Sequence, residues 1–129
     1  MKKLTFLIFS VDQVLKFYAL KGNWPLLKNH DSFAFGLLPS YGFIPIILYS
    51  LGSYFLLRRM TKTHKILDTF IASFFVAGSL SNSVDRIFRG YVVDYIPFGN
   101  LTMFNLGDVS IIASLSLLSY DIVNNLEGW

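Results

Sequence analysis

The chain has 129 residues, 53% of them hydrophobic, 17% aromatic and only 15% charged, with a mean hydropathy of +0.52. Soluble domains carry about a quarter charged residues, so the composition points to a single integral membrane domain over residues 1–129. The absence of cysteine excludes disulfides, thiolate nucleophiles and Cys-ligated metals, and His30 and His64 are too few for a histidine zinc site.

Four apolar stretches are read as spans, at about 4–20, 41–57, 66–84 and 106–123. Each approaches the roughly 20 residues needed to cross a bilayer. The first, "LTFLIFSVDQVLKFYAL", follows Lys2 and Lys3 and could be a cleaved signal peptide. Asp12 and Lys16 interrupt its apolar run and no small-x-small site follows, so a retained first helix is expected. The 21–40 segment is rich in Gly, Pro and aromatics, with extended, β-like structure expected around "SFAFGLL".

The net charge of +3 is clustered at span ends rather than spread over a nucleic-acid face. Lys2 and Lys3 mark the N-terminus as cytoplasmic, and Arg58, Arg59, Lys62 and Lys65 mark a short cytoplasmic loop two crossings later. The C-terminus then also lies inside, and residues 21–40 and 86–105 lie outside. The fold class expected is an all-α membrane protein of four transmembrane helices, with a small extended outer segment between the first two.

Carboxylates near lipid are costly and mark function or a specific pairing. Asp12 and Lys16 are four apart on one helix face and can neutralise each other, or one can anchor a loop or substrate backbone near the outer surface. Asn82, Asp85 and Arg86 arrive together at the outer end of the third helix, where Arg86 suits the helix C-terminus and Asp85 is a candidate partner for it. Asp108 stands near the start of the fourth helix, where Asn105 can be the N-cap and Asp108 its capping-box partner. Asp94 has no such local explanation, since it is set in the apolar run "VVDYIP".

The topology puts Asp94 and Asp108 at the same depth near the outer face. Two carboxylates in one poorly solvated site share a proton, which supplies one general base and one general acid. Hydrolysis by an aspartate dyad is therefore the chemistry the residues support best, without metal or cofactor. A Ser–Lys dyad would have to use Lys16, the only lysine within a span. A small ion-coupled carrier or assembly subunit is the alternative from another class, because intramembrane Asp and Lys mark ion pathways as well; no inverted repeat supports it.

The ordered motifs carry a resemblance over nearly the whole chain. Asp12–x–x–x–Lys16, then Ala34–Phe35–Gly36, then Asn82–x–x–Asp85–Arg86 running to Asp94, then Phe104–Asn105–x–x–Asp108, are similar to lipoprotein signal peptidase (signal peptidase II). The resemblance implies a bacterial inner-membrane aspartyl protease that removes the signal peptide of diacylglyceryl-prolipoproteins before the lipidated cysteine. It implies Asp94 and Asp108 as the catalytic pair. Asn82, Asp85, Arg86 and Asn105 would then shape the site, with Asp12 and Lys16 supporting its outer part.

Asn29, His30, Phe35 and Gly36 are the candidate substrate contacts, although "NHDSFAFG" departs from the family's usual Asn-x-Gly-x-Ala-Phe-Gly. Ser81 stands where a glycine is usual. Gly107 stands where an alanine is usual and is expected to loosen the start of the fourth helix. The chain is short for the family, with little beyond the fourth span. A monomer is expected, with lipidated prolipoprotein and membrane lipid as partners and no nucleic acid.

Overall fold

The structure, a computed structural model, describes residues 1–22, 27–29, 32–33, 38–39, 43–99 and 102–127. Its chain order is α1 (Lys2–Lys21), β1 (Leu27–Asn29), β2 (Ser32–Phe33), β3 (Leu38–Pro39), α2 (Ile44–Thr63), α3 (Ile66–Val84), a π-helical turn (Asp85–Arg89), β4 (Val92–Asp94), β5 (Ile96–Phe98), β6 (Thr102–Phe104) and α4 (Leu106–Glu127).

Local chemistry explains the helix ends. Pro45 sits in the first turn of α2, where its missing N–H is not needed. His64 closes α2 in the left-handed region, at φ 54°. With only His64 and Lys65 between α2 and α3, the two helices fold back as a hairpin. The basic residues assigned to a loop from the sequence, Arg58, Arg59 and Lys62, lie instead on the last turns of α2. At the other end of α3 the chain widens into the π-turn and is stopped by Gly90 at φ 79°.

The architecture is mostly helical, as expected, with four long helices, but its small extended part is larger than expected and forms three antiparallel strand pairs. β2 and β3 pair within the 21–40 segment, where extended structure was expected. The 86–105 segment also forms strands, which no alternation in its sequence announces. β1 pairs with β4 in the register Leu27↔Asp94, Lys28↔Val93 and Asn29↔Val92. β5 and β6 form a hairpin, Ile96↔Phe104 to Phe98↔Thr102, turning through Gly99 at φ 58°.

Helix α3 is the centre of the bundle and packs against α1, α2 and α4. It can do so because most of its buried residues are small, Ala72, Ser73, Ala77, Gly78, Ser79 and Ser81, beside the larger Asp68, Ile71, Phe75 and Asn82. Gly78 faces the backbone of Gly107 so closely that a Cβ there would collide with the Gly107 carbonyl and lie 2.9 Å from Ile111 Cγ1. A Cβ at Gly107 would in turn come within 3.2 Å of the Gly78 carbonyl and of Asp12 Oδ2. Glycine at 107 therefore does not loosen the start of α4; it permits the close approach of α3 and α4. Gly78→Ala is expected to destabilise the fold by about 1–3 kcal/mol through overpacking, read as a lower thermal midpoint of the purified protein.

The bundle buries a polar network beside an apolar core that includes Tyr49, Leu56, Ile71 and Phe75, and exposes many large apolar side chains. Asp12, Lys16, Asp68, Ser81, Asn82, Asp85 and Asn105 are buried, whereas Phe6, Ile47, Phe55, Ile66, Tyr120 and Leu126 are more than half exposed. Among the described residues, one helix stretch, Leu106–Leu126 with mean hydropathy 1.5, is by itself long and apolar enough to cross a membrane.

At the end of the bundle where α2 meets α3, Arg59 ties three helices. Its Nε lies 2.6 Å from Asp68 of α3, and Nη2 is paired with Asp121 of α4. Thr63 also donates to Asp68, and Asn125 Nδ2 donates to Asp121 at 3.1 Å.

Candidate active site

The site lies at the opposite end of α3, where its polar residues meet α1, β4 and the start of α4. Lys16 is its buried cation. The i,i+4 pair expected with Asp12 is present, Nζ to Oδ2 at 2.8 Å, and both side chains are fully buried. Asp85 is a second carboxylate on the same ammonium, at 2.9 Å. Asp85, which adjacency in the sequence offered as a partner for Arg86, forms ion pairs with Lys16 and Arg89. The π-turn directs it toward both. Asp12, Lys16, Asp85 and Arg89 thus balance two negative charges with two positive ones, which is what a buried network requires.

Hydrogen bonds complete that network. Ser81 Oγ donates to Asp12 Oδ2 at 2.6 Å and lies 3.3 Å from Lys16 Nζ. Gln13 Nε2 reaches Ser81 Oγ at 2.8 Å and Asp85 Oδ1 at 3.1 Å, while Arg89 donates to Gln13 Oε1 at 2.9 Å. The Val93 backbone N–H donates to Asp85 Oδ2 at 3.1 Å. Strand β4, which ends at Asp94, is therefore held by the buried charge cluster, and Asp12–Lys16 is both an ion pair and an anchor. Ser81, Gln13 and Arg89 were not singled out from the sequence as site residues. Only Arg89 had a local signal, its i,i+4 spacing from Asp85.

Asn82 passes the influence of Lys16 on. Its Oδ1 accepts from Lys16 at 3.2 Å and from Asn105 at 3.0 Å, while its Nδ2 donates to Asp108 Oδ1 at 2.9 Å. The capping box is present as expected. Asp108 N donates to Asn105 Oδ1 at 2.8 Å, and Asn105 N returns a bond to Asp108 Oδ2 at 3.2 Å. Asn105 also turns its amide toward β4, with Nδ2 2.9 Å from Asp94 Oδ1 and 3.2 Å from the Val93 carbonyl. Two N–H groups thus serve three acceptors, and one asparagine contacts both Asp94 and Asp108.

Asp94 is 3% exposed, and Asp108 is half-buried. Arg86 stays at the rim, donating to the Asn82 carbonyl at 3.5 Å with its guanidinium 5.8 Å from the Tyr49 ring centroid. Asn29 enters as a backbone position of β1, in register with Val92 two residues before Asp94. His30, Phe35 and Gly36 lie outside the described residues. Among the described residues, no group of three or more His, Cys, Asp or Glu is placed to hold a metal ion. What the arrangement offers is two carboxylates on separate elements, both tied to Asn105, Asp94 through its side-chain amide and Asp108 through its backbone N–H, and backed by a charge-balanced cluster.

The sequence profile of signal peptidase (SPase) II matches residues 4–124. The chain belongs to the signal peptidase II family. Residues of this family member are 37% identical over 86 positions to the lipoprotein signal peptidase of Halothermothrix orenii, covering 66% of this chain and 59% of that one. Identity to the lipoprotein signal peptidase of Caldicellulosiruptor bescii is 34% over 90 residues, 70% of this chain and 60% of the relative. The chain thus spans about 60% of the length of these two relatives. Its fold is that of a bacterial membrane enzyme solved by the in meso method, with a TM-score of 0.86 over 97% of this chain and 88% of the other at 20% identity.

Proposed function

We propose that the chain is a membrane-embedded aspartyl endopeptidase that removes the signal peptide from diacylglyceryl-prolipoproteins, cleaving before the lipidated cysteine. The observation that carries this reading is the Asn105 bridge, which contacts Asp94 at 2.9 Å through its side chain and Asp108 at 3.2 Å through its backbone. Membership of the signal peptidase II family and the names of the relatives support it.

In this mechanism one aspartate takes a proton from a water that attacks the scissile carbonyl. The other, protonated, donates a hydrogen bond to the carbonyl oxygen. The tetrahedral diol collapses as the leaving amine is protonated. Asn82 and Asn105 hold the carboxylates in place through these steps, and the Asp12–Lys16–Asp85–Arg89 cluster holds the elements that carry them.

The burial of charged groups and the exposure of large apolar side chains on all four helices support four membrane spans. Exposed apolar side chains on α1, α2, α3 and α4 meet lipid, and the charged groups meet one another. The 19 residues of α3 separate the Arg59 cluster from the aspartates by roughly 28 Å, close to the ~30 Å of a bilayer's hydrocarbon core. The basic end faces the cytoplasm with both termini, and the aspartates lie near the outer face of the bacterial inner membrane. A lipidated substrate enters sideways, leaving its acyl chains in the bilayer.

The test is cleavage by the purified protein of a diacylglyceryl-modified precursor against its unlipidated counterpart. Cleavage of the lipidated form alone is expected. Equal cleavage of both removes the substrate assignment, and cleavage of neither removes the peptidase reading.

A further inference from the structure

Tyr95 follows Asp94 directly and is 3% exposed. Three contacts leave it in three directions. Its backbone N–H donates to the Phe104 carbonyl at 3.1 Å, joining the end of β4 to the residue before Asn105. Its phenol oxygen accepts from the Leu106 backbone N–H at 3.1 Å, at the first residue of α4. The phenol proton goes to Asp12 Oδ1 at 2.7 Å, on α1.

The Leu106 N–H belongs to the first turn of a helix, where backbone donors have no partner within the helix. The capping box serves the N–H groups of Asn105 and Asp108, and the Tyr95 hydroxyl serves that of Leu106. Burial and the neighbouring Asp12 carboxylate push the Tyr95 phenol above its ordinary range, so it stays protonated and keeps its donor.

We propose that Tyr95 is a positioning residue for the aspartate pair: it bolts the strand that ends in Asp94 to the helix start that carries Asp108, with α1 as the third anchor. The inference rests on the aspartyl-peptidase reading and adds a residue to it. A buried tyrosine that only fills the core would contribute its ring. This one contributes its hydroxyl to the two elements whose separation sets the distance between the carboxylates. Losing the hydroxyl leaves Asn105 and the Tyr95–Phe104 backbone bond as ties between them.

The test uses the full-length protein in lipid. Tyr95→Phe removes the hydroxyl and keeps the ring, and Leu106→Pro removes the same bond from the other side. Proline is tolerated at the first position of a helix, and Leu106→Ala, which keeps the N–H, corrects for the lost leucine side chain. Each of Tyr95→Phe and Leu106→Pro is expected to lower kcat on a lipidated precursor by about 10- to 100-fold with KM changed by less than about twofold. The double variant is expected to be no worse than the more impaired single one, because the bond that Leu106→Pro removes is one of the two that Tyr95→Phe already removes.

A readout apart from activity comes from nitroxide labels at Phe98→Cys and Ile112→Cys, on exposed positions of β5 and α4 in a chain without native cysteine. Their distance distribution is expected to broaden when Tyr95 becomes Phe. The inference is overturned by Tyr95→Phe cleaving as well as the unmodified protein, by a rise in KM with kcat intact, or by an unchanged label distribution. If Tyr95→Phe does not fold, Leu106→Pro against Leu106→Ala decides by the same criteria. Failure of the unmodified protein to cleave would instead overturn the peptidase reading, and this inference with it.

Discussion

Asn at position 94 or at position 108 is expected to reduce cleavage of a lipidated precursor by at least about 10²–10⁴-fold, the usual worth of a general acid or base. The substitution keeps the shape of each side chain and removes its ability to exchange a proton. In Asp94→Asn the amide oxygen can still accept from Asn105 Nδ2, now 2.9 Å from the carboxylate, so that bond survives the substitution. Asp108→Asn is less silent. Both Asp108 oxygens accept hydrogen bonds, from Asn82 and from the Asn105 backbone, and an amide can satisfy only one of them as an acceptor. A loss of about 1 kcal/mol at the helix cap is therefore expected beside the loss of activity. Single-turnover rates with saturating enzyme separate the two effects. Activity surviving at a tenth or more of the original in either variant would remove that residue from the chemistry.

The second large effect is on stability. Lys16→Met leaves Asp12 and Asp85, both fully buried, without the ammonium that lies 2.8 and 2.9 Å from them. Breaking a buried pair from one side costs about 3–5 kcal/mol, because the remaining charge stays desolvated. A strongly lowered thermal midpoint is expected, together with loss of cleavage, since Val93 and so Asp94 are held through Asp85. Adding Asp12→Asn to Lys16→Met should recover part of the loss. Asp85 keeps Arg89 as its cation, while an amide at 12 can still accept from one of Tyr95 and Ser81, whose hydroxyls bond separate oxygens of Asp12. A Lys16→Met protein with an unaltered midpoint would show that the cluster does not hold the bundle.

The apolar runs and local spacings of the sequence determined the four helices, the Asp12–Lys16 pair and the Asn105–Asp108 capping box. Each of these is settled within one or two helical turns, where residue type and a separation of three or four positions suffice. The motif order also named Asp94, Asn82 and Asp85 as residues to watch. Partners distant in sequence were decided only by the tertiary structure. Asp85 pairs with Lys16, 69 positions away, because a π-turn and the packing of α3 on α1 bring the two together. The three-residue strands β1 and β4 are too short to show a period of two, and they exist as a pair only because the bundle brings them together.

Gly107 reads from sequence as a weak helix former, and in the fold it lies at a close approach between α3 and α4. Tyr95 reads as one more aromatic in an apolar run, yet its hydroxyl reaches Asp12 and Leu106 at once. In each case the deciding term is which buried polar group finds its partner. That depends on how the helices pack, and no local pattern in the chain encodes it.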